Sequence, residues 1–141
     1  MDKELLYLPR KLKKKLFYLQ LSEKEILELM DSIPGGNYDE PRVQKSRNLK
    51  APFEKWIDEH MEIEEKIKET AEELYKAIVD LRKQISRIDN QDYQHLLILY
   101  YINELSLNDI ANKLYVSLIT AKRWKYRATM EFEKLIPDDT A

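Results

Sequence analysis

Apolar residues along this chain recur mostly at steps of three and four, the spacing that lines one face of an α-helix. Leu5 to Leu21 reads as a first short helix and Ser22 to Ile33 as a second. Ser22 with Glu25 three residues later fits a capping box, and Ile26, Leu29, Met30 and Ile33 follow at helical spacing. Pro34, Gly35, Gly36, Asn37, Pro41 and Pro52 then cluster, and such residues favour turns and extended backbone. Residues 34–52 are therefore read as a loop, of a length unusual inside a compact domain. A long helix is expected from Phe53 to Ile88. From Ile67 onward, Ile67, Ala71, Leu74, Ile78, Leu81, Ile85 and Ile88 alternate steps of four and three, a heptad seam. The flanking Lys68, Thr70, Tyr75, Ala77, Arg82 and Gln84 lack the paired opposite charges that would specify a partner. Two arrangements fit: packing on the chain's own helices, or a homodimeric coiled coil through this helix. Asp89 to Asp92 are good N-caps and break the helix. Tyr93 to Asn103 reads as the next, apolar on nearly all sides from His95 to Ile102 and so the buried centre of a C-terminal bundle. The expected class is all-α: an N-terminal segment (1–33), the loop (34–52), the long helix (53–88), a C-terminal helical domain (89–136) and a tail (137–141).

Composition removes several function classes. With no Cys among 141 residues there is no disulfide scaffold, Cys-ligated zinc or thiol nucleophile. Two Gly leave little for a phosphate-cradling loop. The longest near-continuous apolar run, Leu96 to Ile102, is far short of the roughly 20 residues that span a bilayer. The order of charges around the first apolar patch is wrong for a secretory signal. No membrane partner is expected. The net charge of -2 argues, taken alone, against a nucleic-acid binder.

Segmenting the charge reverses that inference. Residues 1–50 carry a net +3 and residues 51–91 a net -4, while Lys113 to Arg127 holds Lys113, Lys122, Arg123, Lys125 and Arg127 with no acid. In the same stretch, Ser106 and Ser117 are both good N-caps, with room between them for a short helix and a turn. Counting from Leu107, apolar residues fall at the fourth (Ile110), eighth (Leu114), tenth (Val116), fifteenth (Ala121) and eighteenth (Trp124) positions, with the small Ala111 at the fifth. That is the packing pattern of a helix-turn-helix, in which the second helix passes close over the small residue of the first. Tyr115 stands at the ninth position, where the turn often takes Gly, so a strained or altered turn is expected. Stepping 100° per residue from Ala121 places Trp124, Ala128, Phe132 and Leu135 inward, and Ile119, Arg123, Tyr126 and Met130 outward. Thr120, Lys122 and Arg127 flank the outward face. Such a face suits a major groove: Arg and Lys reach guanine edges or phosphates, and Ile119 a thymine methyl. Lys113 and the amides after Ser106 can meet phosphate. The candidate DNA-binding set is Lys113, Ser117, Ile119, Thr120, Lys122, Arg123, Tyr126 and Arg127.

These residues resemble region 4 of bacterial sigma factors, in the Leu-x-x-Ile-Ala core of the short helix and the Ser-capped second helix running through Ala to a terminal Leu. Over roughly residues 30–136, including Asp31-Ser-Ile-Pro-Gly-Gly, the acidic helix and LLILYYI (96–102), the chain resembles phage-encoded, sigma-like regulators of the ArpU/RinA-type late activator family. Tyr100 and Leu107 depart from that pattern, where relatives often have Arg and Trp. The resemblance implies sequence-specific binding of double-stranded DNA near phage or mobile-element genes, host RNA polymerase as a partner, and the cytoplasm of a bacterial host.

An enzyme is not expected. His60 and Glu64, at i and i+4, offer two metal ligands without a third, the pattern of a solvated helix surface, and His95 has no acid–base partner. Neither a metal nor another cofactor is expected. The run Arg10, Lys11, Lys13, Lys14, Lys15 fits either a phosphate contact or, more simply, the solvated side of an amphipathic helix. Two further classes remain open: a DNA-packaging or recombination accessory protein, and a sigma-like interaction module that does not read DNA.

Overall fold

The computed structural model describes residues 2–32 and 43–135, with side chains over 4–32 and 53–135. The fold is all-α. Helix α1 spans Asp2–Asp31, α2 Val43–Ile85, α3 Gln91–Leu97, α4 Leu107–Leu114 and α5 Leu118–Leu135, and a single π turn, Ile98–Ile102, extends α3. The chain divides into two compact units: residues 1–13 with 73–141, and residues 14–72.

The N-terminal half is more continuously helical than the sequence pattern predicts. In place of two short helices there is one, and Ser22 is a half-buried residue within it rather than a cap. Nothing between Leu16 and Ile26 breaks a helix, and a serine inside one costs only a few tenths of a kcal/mol to about 0.7. Pro9 lies inside α1 with its ring fully buried; its missing N–H forfeits one backbone bond, to Leu5, early in a 30-residue helix. The expected loop is also too long. Helix α2 starts at Val43, not Phe53, because Val43 to Lys50 contains no breaker and Pro52 alone does not stop it. Residues 33–42, which include Ile33 of the expected second helix and the rest of that loop, lie outside the described residues, as does the tail.

In the first unit the core comprises Leu6, Leu81, Ile85, Ile88, Tyr93, Leu96, Leu97, Tyr101, Ile102, Ile110, Ala128 and Phe132. Leu81, Ile85 and Ile88 are therefore spent on the chain's own helices, and this half of the heptad seam is closed to a coiled-coil partner. The long helix ends at Ile85, and a turn closed by Ile88 N–H to Ile85 O at 3.0 Å leads to Asn90. The Asn90 side chain accepts from Asp92 N–H at 2.9 Å and Tyr93 N–H at 3.4 Å, which starts α3. Helix α3 packs against α5, α4 against α5, and the π turn against α4. Tyr101 is buried in this core, 3.4 Å from Thr129 Oγ1, and burial pushes its phenol above the ordinary 10.0.

The π turn stops abruptly. Asn103 N–H reaches Ile98 O at 3.0 Å, Leu105 N–H reaches Leu99 O at 3.0 Å, and Glu104 between them takes a left-handed φ of 58°. Glu104 is held there by ion pairs to Arg10 at 3.5 Å and Lys13 at 3.6 Å. Arg10 also donates to Tyr100 O at 2.9 Å, and Lys13 donates to Ile102 O. Two cations thus meet the carbonyl end of a helix, where its dipole favours them. Arg10 in addition lies over the Tyr100 ring, 5.4 Å from its centroid. Of the basic run in α1, Arg10 and Lys13 are half-buried and engaged with Glu104 and backbone carbonyls, while Lys11, Lys14 and Lys15 are exposed. Arg10→Ala is expected to lower stability by about 1–2 kcal/mol, the worth of a partly exposed charged hydrogen bond. A lowered urea midpoint at unchanged slope checks this; no shift would contradict it.

Candidate nucleic-acid interface

Helices α4 and α5 form a helix-turn-helix joined by Tyr115, Val116 and Ser117. Ser106 caps α4, accepting from Asp109 N–H at 3.2 Å, and α4 buries Ile110 and Ala111. Ser117 caps α5: its Oγ accepts from Thr120 N–H at 3.1 Å and donates to Thr120 Oγ1 at 2.9 Å. The two hydroxyls therefore hold each other at the entrance to the helix.

The turn rests on Tyr115, which adopts φ 57° and ψ 44°, the left-handed conformation that Gly takes without penalty. Its N–H bonds back to Ala111 O and Asn112 O, and its side chain is 95% exposed, so no packing compensates for the backbone. The non-Gly ninth residue is thus accommodated by strain, not by a different turn, at roughly 1–2 kcal/mol. Tyr115→Gly is expected to raise stability by about 1 kcal/mol at unchanged helicity. An increase in the thermal midpoint checks this, and a decrease would show that the aromatic ring contributes.

Helix α5 turns Ala121, Ala128 and Phe132 into the core. Ile119 is 64% exposed, Tyr126 69% and Met130 42%, and Lys122, Arg123 and Arg127 are exposed beside them. Thr120 is half-buried and engaged with Ser117; Lys113 is exposed in the last turn of α4. All eight candidate residues lie on α4, α5 or the turn between them. Lys125 separates from its neighbours. It sits 40° from Ala121 on the wheel, on the inward side, and donates to Tyr100 Oη at 3.2 Å with its ammonium 4.4 Å from the ring centroid. Four of the five cations of the acid-free stretch remain on the outer surface.

The sequence also missed a grouping in the second unit. Helix α1 supplies Glu23 as the third member beside His60 and Glu64, and one ligand atom from each lies within 4.8 Å of the others. The geometry is that of a bridging imidazole: Nδ1 is 2.9 Å from Glu64 and Nε2 3.4 Å from Glu23. Because each ring nitrogen faces a different carboxylate, one ion could not collect all three donors unless the ring turned. No periodicity signals this pairing, since Glu23 and His60 lie on different helices.

A family model described as "Protein of unknown function (DUF1492)" matches residues 53–133, more than half of the chain. The chain belongs to this family. The matched stretch runs from within α2 to near the end of α5 and so includes all of the helix-turn-helix but the last two residues of α5, whereas Arg10, Lys13 and Glu23 precede it. No curated protein and no solved structure matched the chain. Among the described residues no helix is long and apolar enough to cross a membrane.

Proposed function

We propose that this protein is a sequence-specific DNA-binding transcriptional regulator that lays α5 in the major groove and acts with host RNA polymerase at phage or mobile-element genes. One observation carries the reading: the face of α5 opposite Ala121, Ala128 and Phe132 exposes Ile119, Lys122, Arg123, Tyr126 and Arg127, in a stretch of fifteen residues without an acid. A helix that only packs also turns polar residues outward, but it has no need to exclude acids from them. Arg123 and Lys122 supply donors for guanine O6 and N7 or for phosphate, and Ile119 an apolar contact for a thymine methyl. Lys113, across the turn, supplies a phosphate contact that orients without reading sequence. The bond from Ser117 Oγ to Thr120 Oγ1 fixes the entry of α5, and the Thr120 hydroxyl keeps its own proton to donate to a base or phosphate.

The overall charge of -2 shapes this role. Non-specific DNA affinity comes almost wholly from phosphate neutralisation. A nearly neutral chain with a small basic face gains little of it, and depends on base contacts or a protein partner for occupancy. Footprinting on the DNA flanking its own gene, with and without RNA polymerase, tests the proposal. A protected site that polymerase extends or strengthens is expected. Uniform protection, or none under either condition, would contradict it.

A further inference from the structure

We infer that the outer ridge of α1, in the second unit, is a self-association surface that binds a second copy of this chain in antiparallel register. Within residues 14–31, Leu16, Leu19, Ile26 and Met30 turn toward one side and are buried or half-buried. On the opposite side Phe17 is 59% exposed, Tyr18 54% and Leu21 42%. At 100° per residue, Phe17, Tyr18 and Leu21 fall within about 60° of the direction facing away from the packed side. The rings of Phe17 and Tyr18 already meet edge to face, centroids 5.7 Å apart. Large apolar side chains grouped on one exposed ridge are the usual mark of an interaction surface, unlike scattered single ones.

Charge along the same ridge decides the occupant. Exposed Lys14 lies on the N-terminal side of the apolar trio, and exposed Glu25 and Glu28, with Lys24 at the edge of the ridge, on the C-terminal side. A two-fold interface must be complementary to itself, each residue meeting its counterpart in reverse. This ridge satisfies that condition. If Tyr18 of one copy meets Leu21 of the other in an antiparallel crossing, Lys14 falls opposite Glu25 of the second copy, and Glu28 one turn beyond. An opposite pair then closes each end of an apolar centre. From Lys14 to Asp31 the helix is about 27 Å long, enough for several turns of contact. The heptad seam of α2 is a weaker candidate, because Leu81, Ile85 and Ile88 are already covered by the chain's own helices.

The test is the mass of the full chain in solution, by sedimentation equilibrium over a range of concentrations, with no DNA present. A dimer is expected. Leu21→Glu replaces an exposed side chain, so helicity by circular dichroism is expected to stay unchanged while the dissociation constant rises roughly tenfold or more. Lys14→Glu is expected to weaken the dimer in the same sense, and adding Glu25→Lys and Glu28→Lys to restore it by exchanging the signs. Restoration is the decisive arm, since a generally damaged surface would not recover. A monomer at all concentrations would overturn the inference. So would a dimer indifferent to Leu21→Glu, or one not restored by the exchange. None of these readings depends on whether α5 binds DNA.

Discussion

Replacing Lys122 and Arg123 together with alanine is expected to abolish selective DNA binding while leaving the fold intact. Both side chains are exposed on α5, away from Ala121 and Phe132, so no core contact is lost and helicity should not change. Each base contact removed costs about 1–3 kcal/mol of discrimination. If both residues read bases, the double variant loses most of the margin between a specific and a random site. A control separates reading from charge. Lys113→Ala removes one cation from α4, and as a phosphate contact it should weaken binding about equally on all sequences and lower the salt slope by roughly one. Lys125→Ala offers a second contrast. Its ammonium is held on Tyr100, so its loss should register in stability before it registers in DNA affinity. Unchanged affinity and selectivity in the Lys122/Arg123 double variant would show that the outward face of α5 is not the reading surface.

The other large effect lies in the core that presents this face. Phe132 is fully buried on α5, in a cluster that includes Leu6, Leu81, Ile85, Leu96 and Leu97. Truncating it to alanine removes a ring from contact with residues on several helices and leaves a cavity that a close-packed interior fills only in part. The expected loss is about 3–5 kcal/mol. Domains of this size are stable by only about 5–15 kcal/mol, so a variant near its unfolding threshold is expected. Urea denaturation followed by circular dichroism measures it. A loss below about 1 kcal/mol would mean that the cluster is not the cooperative core of the first unit.

The parts of the molecule legible in the sequence are those set by near neighbours. Ser106, Ser117 and Asn90 each cap a helix by accepting from an amide two or three residues ahead, and a cap can be read from a short window. The inward and outward sides of α5 follow from the 100° step alone, so Ala121, Ala128 and Phe132 could be placed inside and Ile119, Arg123 and Tyr126 outside. The same step sets Lys125 apart, 40° from Ala121. Composition groups it with the other cations, and only its angle and the ring of Tyr100 remove it from the surface set.

What the sequence did not yield depends on distance along the chain or on competition between signals. Arg10 meets the carbonyl of Tyr100 ninety residues away, and nothing in the run from Arg10 to Lys15 distinguishes the two side chains that dock from those that stay in water. Glu23 reaches His60 for the same reason unannounced. Ser22 and Pro52 mislead in another way. Each resembles a boundary, but a long helix absorbs one unfavourable residue, because propagation over many turns outweighs a single local preference. Tyr115 was legible as an irregularity. That the chain would keep the left-handed turn and bear the strain follows from its geometry, in which its N–H must return to Ala111 and Asn112.

The central claim, that α5 reads DNA sequence through its outward face, is tested most directly by selection from a random double-stranded DNA pool. The wild-type chain is expected to enrich a short motif, and the Lys122→Ala/Arg123→Ala variant, equally helical, to enrich none. If the wild-type chain enriches no motif, or the variant selects the same one, the claim is wrong.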